Sequence, residues 1–305
     1  MIQLNRILCP LDFSKCSRVA FENAVTLARK SRAELHLFHA ILLYEQDSYK
    51  PDDRLPDNLM SYELIEDISK GKLNELVDQH QSDSLKIVVA SARGFSAGEE
   101  ILAYANDKQI DLIVMGTHGR TALSHLLLGS VAERVIRLAK CPVMTFRKDA
   151  KIVATYHRIL VPIDFSDHSK LALRYGLELA KLFGSQLTVF HSIEQQIHPA
   201  FYASGKTSIF EIDTELKDRA IAAMKKFREE IGYGDIPTDY ILAEGAAYHQ
   251  IVEHATKEHY DLLVIATHGL RGLEHFLIGS TTEKVIRHSE VPVLTVKLGA
   301  RNFVS

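Results

Sequence analysis

The chain has 305 residues, 46% of them hydrophobic and 25% charged, a composition that suits packed domains and excludes a low-complexity polypeptide. Charge is balanced in both halves, with 19 basic and 20 acidic residues in 1–150 and 17 and 19 in 151–305. That balance offers no basic face for nucleic acid, and no apolar run reaches the 18 residues of a membrane span, so no nucleic-acid or membrane partner is expected and a cytoplasmic location is.

In chain order, residues 5–11 (NRILCPL) read as a buried strand that ends at Asp12-Phe13-Ser14. Val19, Ala20, Ala24, Leu27 and Ala28 then recur at helical spacing over 17–31. Residues 33–40 (AELHLFHA) form a second strand. A polar stretch with two prolines follows over 42–58, long enough for a mobile flap. A helix is predicted over 59–81, a strand over 85–91, a helix over 97–108, a strand over 111–117, a helix from Ser130 and a last strand over 142–147.

The second half repeats this order. Strands are predicted at 157–163, 186–191, 238–242 and 261–267, and helices at 168–183, 211–231 and 247–259, with a long loop at 192–210. The repeat divides the chain into domains 1–150 and 151–305. Strand and helix alternating four times in each half imply parallel βαβ units, hence an α/β fold of two tandem Rossmann-like sheets. In such sheets a ligand lies beyond the C-terminal strand ends, where the strand order reverses.

The stretch with most chemistry is GTHGRTALSHLLLGSVAERVIRLAKCPVMTF, from Gly116 to Phe146, which recurs as Ala266 to Val296. Strand 111–117 feeds a loop with Gly116, Gly119 and Gly129 that ends where a helix starts at Ser130. Glycines let backbone approach a ligand, and unpaired N–H groups of a first helical turn favour an anion. The bland alternative is a capping box, because Ser130-Val131-Ala132-Glu133 and Ser280-Thr281-Thr282-Glu283 are both S-x-x-E. In the second copy Gly116 has become Ala266. Alanine there is expected to weaken a ligand site, either because it resists a left-handed backbone that glycine adopts freely or because it places a methyl against the ligand, while Thr282 offers a hydroxyl that Ala132 lacks. Asp12 and Asp164 each suit an Asx-turn as well as a ligand contact.

Other chemistries lack their signatures. Cys9, Cys16 and Cys141 have no paired spacing, and His36 and His39 lie three apart on a strand and point to opposite faces, so no metal site is expected. There is no P-loop lysine and no G-x-S-x-G elbow, so no catalytic residues are assigned.

With these residues in view, the chain resembles the universal stress protein family in its tandem form. The resemblance covers both halves. Gly116, Gly119, Gly129 and Ser130 match the family's Gly-x2-Gly-x9-Gly-Ser pattern, and Pro10-Leu11-Asp12 and Pro162-Ile163-Asp164 match its Pro-x-Asp strand end. The resemblance implies a five-stranded parallel sheet ordered 3-2-1-4-5 in each half, with ATP (or AMP or ADP) in the crevice between strands 1 and 4 and Mg²⁺ accompanying the phosphates. It implies that Pro10, Leu11 and Asp12 border the adenosine, that the Ala40 backbone meets the adenine, and that Met115, Gly116, His118 and Gly119 line ribose and phosphates. Gly129, Ser130, Val131 and Ala132 would hold the phosphate chain. The second candidate set is Asp164, His268, Gly269, Gly279, Ser280, Thr281 and Thr282. The last strands of the two halves would pair within the chain as an internal pseudo-dimer, with a further homodimer open. The expected function is an adenine-nucleotide-binding stress-response module whose occupancy changes a surface read by a protein partner. The alternatives are slow ATP hydrolysis and a nucleotide-free scaffold.

Overall fold

In a computed structural model of the protein, the residues described are 3–43, 58–80, 85–119, 128–194, 207–269, 278–301 and 303–304. The expected flap at 42–58 therefore falls almost wholly outside the described residues, as does most of the loop at 192–210.

The first half contains β1 (Arg6–Pro10), α1 (Lys15–Ser31), β2 (Glu34–Leu42), α2 (Asn58–His80), β3 (Ile87–Gly94), α3 (Ala97–Asp107), β4 (Leu112–Gly116), α4 (Ser130–Leu138) and β5 (Val143–Phe146). The second contains β6 (Arg158–Pro162), α5 (Asp167–Phe183), β7 (Gln186–Ile193), the short α6 (Ile209–Ile212), α7 (Leu216–Glu229), β8 (Thr238–Glu244), α8 (Ala247–Lys257), β9 (Leu262–Ala266), α9 (Ser280–His288) and β10 (Val293–Val296).

These strands form one ten-stranded sheet in the order β3-β2-β1-β4-β5-β10-β9-β6-β7-β8. Within each half every pairing is parallel, and the order within the first half is the expected 3-2-1-4-5. The halves meet where β5 and β10 pair antiparallel, with Met144 opposite Leu294 and both side chains fully buried. Thr145 and Thr295 donate their hydroxyls across this seam to the carbonyls of Val293 and Val143. Each last strand thereby covers what would otherwise be an open sheet edge.

The strands are apolar on both faces because helices cover both. Along β4, Leu112 and Val114 join the core under α1 and α2, while Ile113 and Met115 join the one under α3 and α4. Along β9, Leu262, Val264 and Ala266 face one side, and Leu263 and Ile265 the other. The segment linking the halves lies on α1, where Asn23 and Thr26 donate to the carbonyls of Lys151 and Val153. The segment after β10 lies on α5 in the same way, with Phe303 edge-on to Tyr175 at 4.7 Å.

The helix expected over 211–231 is two helices. Ser208 and Glu211 form a capping box that starts α6, and Asp213 ends it in an extended conformation. The Asp213 carboxylate then accepts from Glu215 N, so the aspartate side chain outcompetes continuation of the helix. β2, β3, β7 and β8 also run two or three residues beyond the expected ends, since the outer strands keep pairing with each other past the ends of β1 and β6.

Candidate functional site

The strand order reverses between β1 and β4, and a cleft of about 420 Å³ opens at their C-terminal ends. That size suits a small-molecule ligand. All twelve residues singled out in the first half, from Pro10 through Ala132, line it. Ser17, Phe38, His39, Ala97, Ile101, Thr117 and Leu128 line it as well and were not anticipated. Phe38, Ile101, Met115, Leu128 and Val131 make one wall apolar, and loop backbone with Asp12, His118 and Ser130 supplies the polar contacts.

The α4 end of the cleft owes its form to close backbone approaches. Gly129 N donates to Thr117 O at 2.9 Å, which folds the loop back on the end of β4. A Cβ on Gly129 would lie 2.9 Å from that same carbonyl oxygen, so only glycine closes the loop here. Gly129 is also the N-cap of α4, with no side-chain hydrogen bond at the cap. The alternative reading of Ser130 to Glu133 as a capping box does not hold: Ser130 lies inside the helix, and Glu133 N bonds to Gly129 O. The N–H groups of Ser130, Val131 and Ala132 fall in the first turn, where none has an intrahelical partner, and all three residues border the cleft. α9 starts the same way at Gly279, so Ser280 is not a cap either.

Gly116 borders the cleft, but its backbone is not left-handed and its missing Cβ faces a helix. Its φ is not positive, and a Cβ there would meet α1, 2.9 Å from Cys16 Sγ and 3.0 Å from the Cys16 carbonyl carbon. The Ala266 methyl correspondingly faces the α5 side of the sheet and is buried. The Gly-to-Ala change between the halves is thus a packing difference against the first turn of a helix, not a methyl placed in a ligand's path. Thr282 also departs from expectation. Its hydroxyl donates to Ala266 O at 2.7 Å and is buried, so its proton is not available to a phosphate.

Asp12 makes the Asx-turn, its Oδ1 accepting from Ser14 N at 3.0 Å. Its other oxygen packs on the loop, where a Cβ on Gly119 would come within 2.7 Å. The aspartate thus joins the two loops that border the cleft. Asp164 repeats this with Ser166 and Gly269. Thr117 Oγ1 lies 2.9 Å from His118 Nδ1, and Thr267 repeats the contact with His268 at 3.0 Å.

At the other end of the cleft the β1–β2 ladder stops with Leu11 N donating to Phe38 O at 2.8 Å. His39 then takes over: its Nδ1 lies 2.6 Å from Leu11 O, and its ring packs on Phe13 at 4.7 Å. Phe38 bonds toward β1 and Leu43 N bonds to Gly94 O on the β3 side. By the two-residue strand period the N–H and C=O of Ala40 point the way Phe38 does, into the cleft, where no backbone among the described residues pairs with them. His39 is a site residue that the sequence reading passed over. Its signal was weak, a histidine in an apolar strand next to the expected base contact.

The three cysteines are buried. Burial raises the Cys9 thiol well above its usual range and pushes Cys141 up to about 12, so both stay protonated. Among the described residues, no three His, Cys, Asp or Glu side chains converge on a common point, and no helix is long and apolar enough to cross a membrane.

A sequence model described as the universal stress protein family matches the chain twice, over residues 3–147 and 155–297. A universal stress protein of Methanocaldococcus jannaschii is 34% identical over 143 residues, 47% of this chain and 82% of that protein. One from Mycobacterium bovis is 27% identical over 194 residues, 62% of each chain. Among solved structures, a universal stress protein from Archaeoglobus fulgidus superposes with a TM-score of 0.72 at 22% identity, covering 97% of this chain and 99% of that one. A functionally unknown protein from Pseudomonas aeruginosa does so at 0.69 and 20%, over 97% and 93%. At these identities the structural likeness establishes the fold.

Proposed function

The chain belongs to the universal stress protein family, and we propose that it works as a stress-response module that binds an adenine nucleotide in the cleft of its first half. The carrying observation is the pair of unused backbone groups at the two ends of that cleft. At one end Ala40 presents an N–H and a C=O side by side. Adenine offers the matching pair, N1 as acceptor and the 6-amino group as donor. Guanine offers the reverse order, O6 as acceptor and N1–H as donor, and would leave both backbone groups mismatched.

At the other end, the first turn of α4 presents three N–H groups and the positive end of the helix dipole. The apolar side chains between suit a base and ribose, and the glycines leave backbone rather than side chain at the loop surface. An adenosine phosphate would lie with its base against Ala40 and its phosphates on Ser130, Val131 and Ala132. A Mg²⁺ ion accompanying it would take its ligands from the phosphates and water, in keeping with its usual few protein ligands. Occupancy would change the surface at the start of α4, and a protein partner reading that surface would sense the nucleotide.

Isothermal titration of the purified chain with ATP and with GTP tests this. ATP is expected to bind, GTP to bind at least tenfold more weakly, and Gly129→Val to abolish ATP binding. Equal binding of the two nucleotides, or undiminished binding to Gly129→Val, would overturn the assignment.

A further inference from the structure

Beside the cleft of the first half lies a second, smaller cavity. A groove of about 300 Å³ separates the start of α3 from α4, and Ser130 and Val131 line both it and the cleft. The groove therefore begins where the phosphates of a nucleotide would lie. Ser96 and Gly98 border it from α3, and Glu133, Arg134 and Arg137 from α4.

Its form has local causes. Ser130, Arg134 and Arg137 follow i, i+4, i+7 spacing and share one face of α4. Helical side chains lean toward the N-terminus, so both arginines reach back toward the first turn. A Cβ on residue 98 would come within 2.9 Å of Arg134 Cδ, so the arginine stem lies directly on the α3 backbone. Arg134 donates to Glu99, and its buried Nε has no acceptor among the described residues. Arg137 has only its carbonyl engaged among the described residues, by Lys297 Nζ at 3.1 Å. Residues 120–127 contain no carboxylate that could pair with its guanidinium. Ser96 starts α3 without a side-chain cap bond. Two helix N-termini and two guanidinium groups thus border the groove, against the carboxylate of Glu133.

The second half lacks this arrangement. The 150-residue correspondence that pairs Gly116 with Ala266 also pairs Gly98 with Tyr248, Arg134 with Lys284 and Arg137 with Arg287. Ile101 and Ile251, buried at matching places in α3 and α8, bear out that correspondence. Tyr248 puts a ring where Gly98 has no side chain, and Lys284 lies over that ring at 4.6 Å. Arg287 donates to Glu283, one turn back, at 2.5 Å. Both cations of α9 are engaged by their own half. The same i,i+4 pair is open to Glu133 and Arg137, and it is not made.

We propose that the groove seats the terminal phosphates of the nucleotide, with Arg137 as their main contact and Arg134 as the second. This rests on nucleotide binding in the first-half cleft. From the first turn of α4 the phosphate chain passes Ser130 into the groove and meets Arg137, whose planar fork suits a pair of phosphate oxygens. The site then selects a nucleoside triphosphate, because the phosphate of AMP ends at the turn and gains nothing from the groove. Gly98 keeps the space free, and Tyr248 is the residue that fills it in the other half.

Isothermal titration in magnesium-free buffer compares ATP with AMP for the wild type, for Arg137→Gln and for Gly98→Tyr, which copies the second half. The wild type is expected to bind ATP about tenfold or more tightly than AMP. Each variant is expected to lower ATP affinity by about tenfold and to keep AMP affinity within about threefold of wild type. Arg137 is half-buried at the surface, so its exchange serves if Gly98→Tyr, whose ring displaces Arg134, does not fold. Equal affinity of the wild type for ATP and AMP would overturn the proposal and leave the cleft assignment intact. So would an ATP-to-AMP ratio unaltered in either folded variant, the result that a separate anion in the groove would give. Binding of neither nucleotide to the wild type would overturn the cleft assignment and this proposal with it.

Discussion

Gly116→Ala separates a packing glycine from a ligand glycine. The added methyl would sit 2.9 Å from Cys16 Sγ, 3.0 Å from the Cys16 carbonyl carbon and 3.1 Å from its Cβ. The thiol cannot swing aside freely, because Cys16 is buried and its Sγ donates to Phe146 O at 2.9 Å. The carbonyl carbon is backbone, in the first turn of α1. Overpacking of this kind costs about 1–3 kcal/mol. The backbone at Gly116 is one alanine adopts readily, so lowered unfolded-state entropy returns about 0.4–1 kcal/mol. The net expectation is a loss of about 1–2 kcal/mol. Urea denaturation should show it as a lower midpoint at unchanged slope. Adding Cys16→Ala removes the Sγ contact and should recover part of the loss. The folded Gly116→Ala protein should bind ATP within about threefold of wild type, since the methyl faces α1. Unchanged stability with a tenfold or greater loss of ATP affinity would refute the reasoning.

Four further outcomes follow from the geometry. Gly129→Ala would press a methyl on Thr117 O, and ATP affinity should fall by about tenfold, the low end of an overpacking cost, in the same titration. His39→Ala removes the bond to Leu11 O and the contact with Phe13, so it should cost about 1 kcal/mol of stability and weaken adenosine itself, which has no phosphates to compensate. Leu294→Ala empties a fully buried position opposite Met144 at the seam between halves, and a loss of about 2–5 kcal/mol should appear in urea melts. Burial holds the imidazoles of His36 and His254 below the usual histidine range, although Glu34 and Glu258 oppose it. The unfolded chain then takes up protons below pH of about 6.5 that the native chain refuses, so stability should decline from pH 7 to pH 5. His254→Gln should flatten that decline, and an unaltered profile would remove His254 from the account.

Much of the fold was legible because the relevant signals are local. Short apolar strands, helical spacing over residues 17–31 and the duplicated glycine stretch together specify tandem parallel sheets, and the sheet order matches. The break at Asp213 was also local, since Ser208-x-x-Glu211 is a capping box written in the sequence, but the longer helical period around it hid the signal. The site was legible at the level of which residues gather, because Pro10–Asp12, Met115–Gly119 and Gly129–Ala132 follow strand ends that the topology brings together. What each residue does depended on register. Ala266 continues the Leu262, Val264 alternation, which turns its methyl toward α5 rather than the crevice. His39 became visible only when the end of the β1–β2 ladder was known.

The most direct test of nucleotide binding in the first half is amide hydrogen exchange with and without saturating ATP. Slowed exchange is predicted at residues 129–133, on the first turn of α4, and at 38–42, around the Ala40 backbone, with no change at 279–283. Unchanged exchange at both first-half segments, or protection confined to 279–283, would contradict the account.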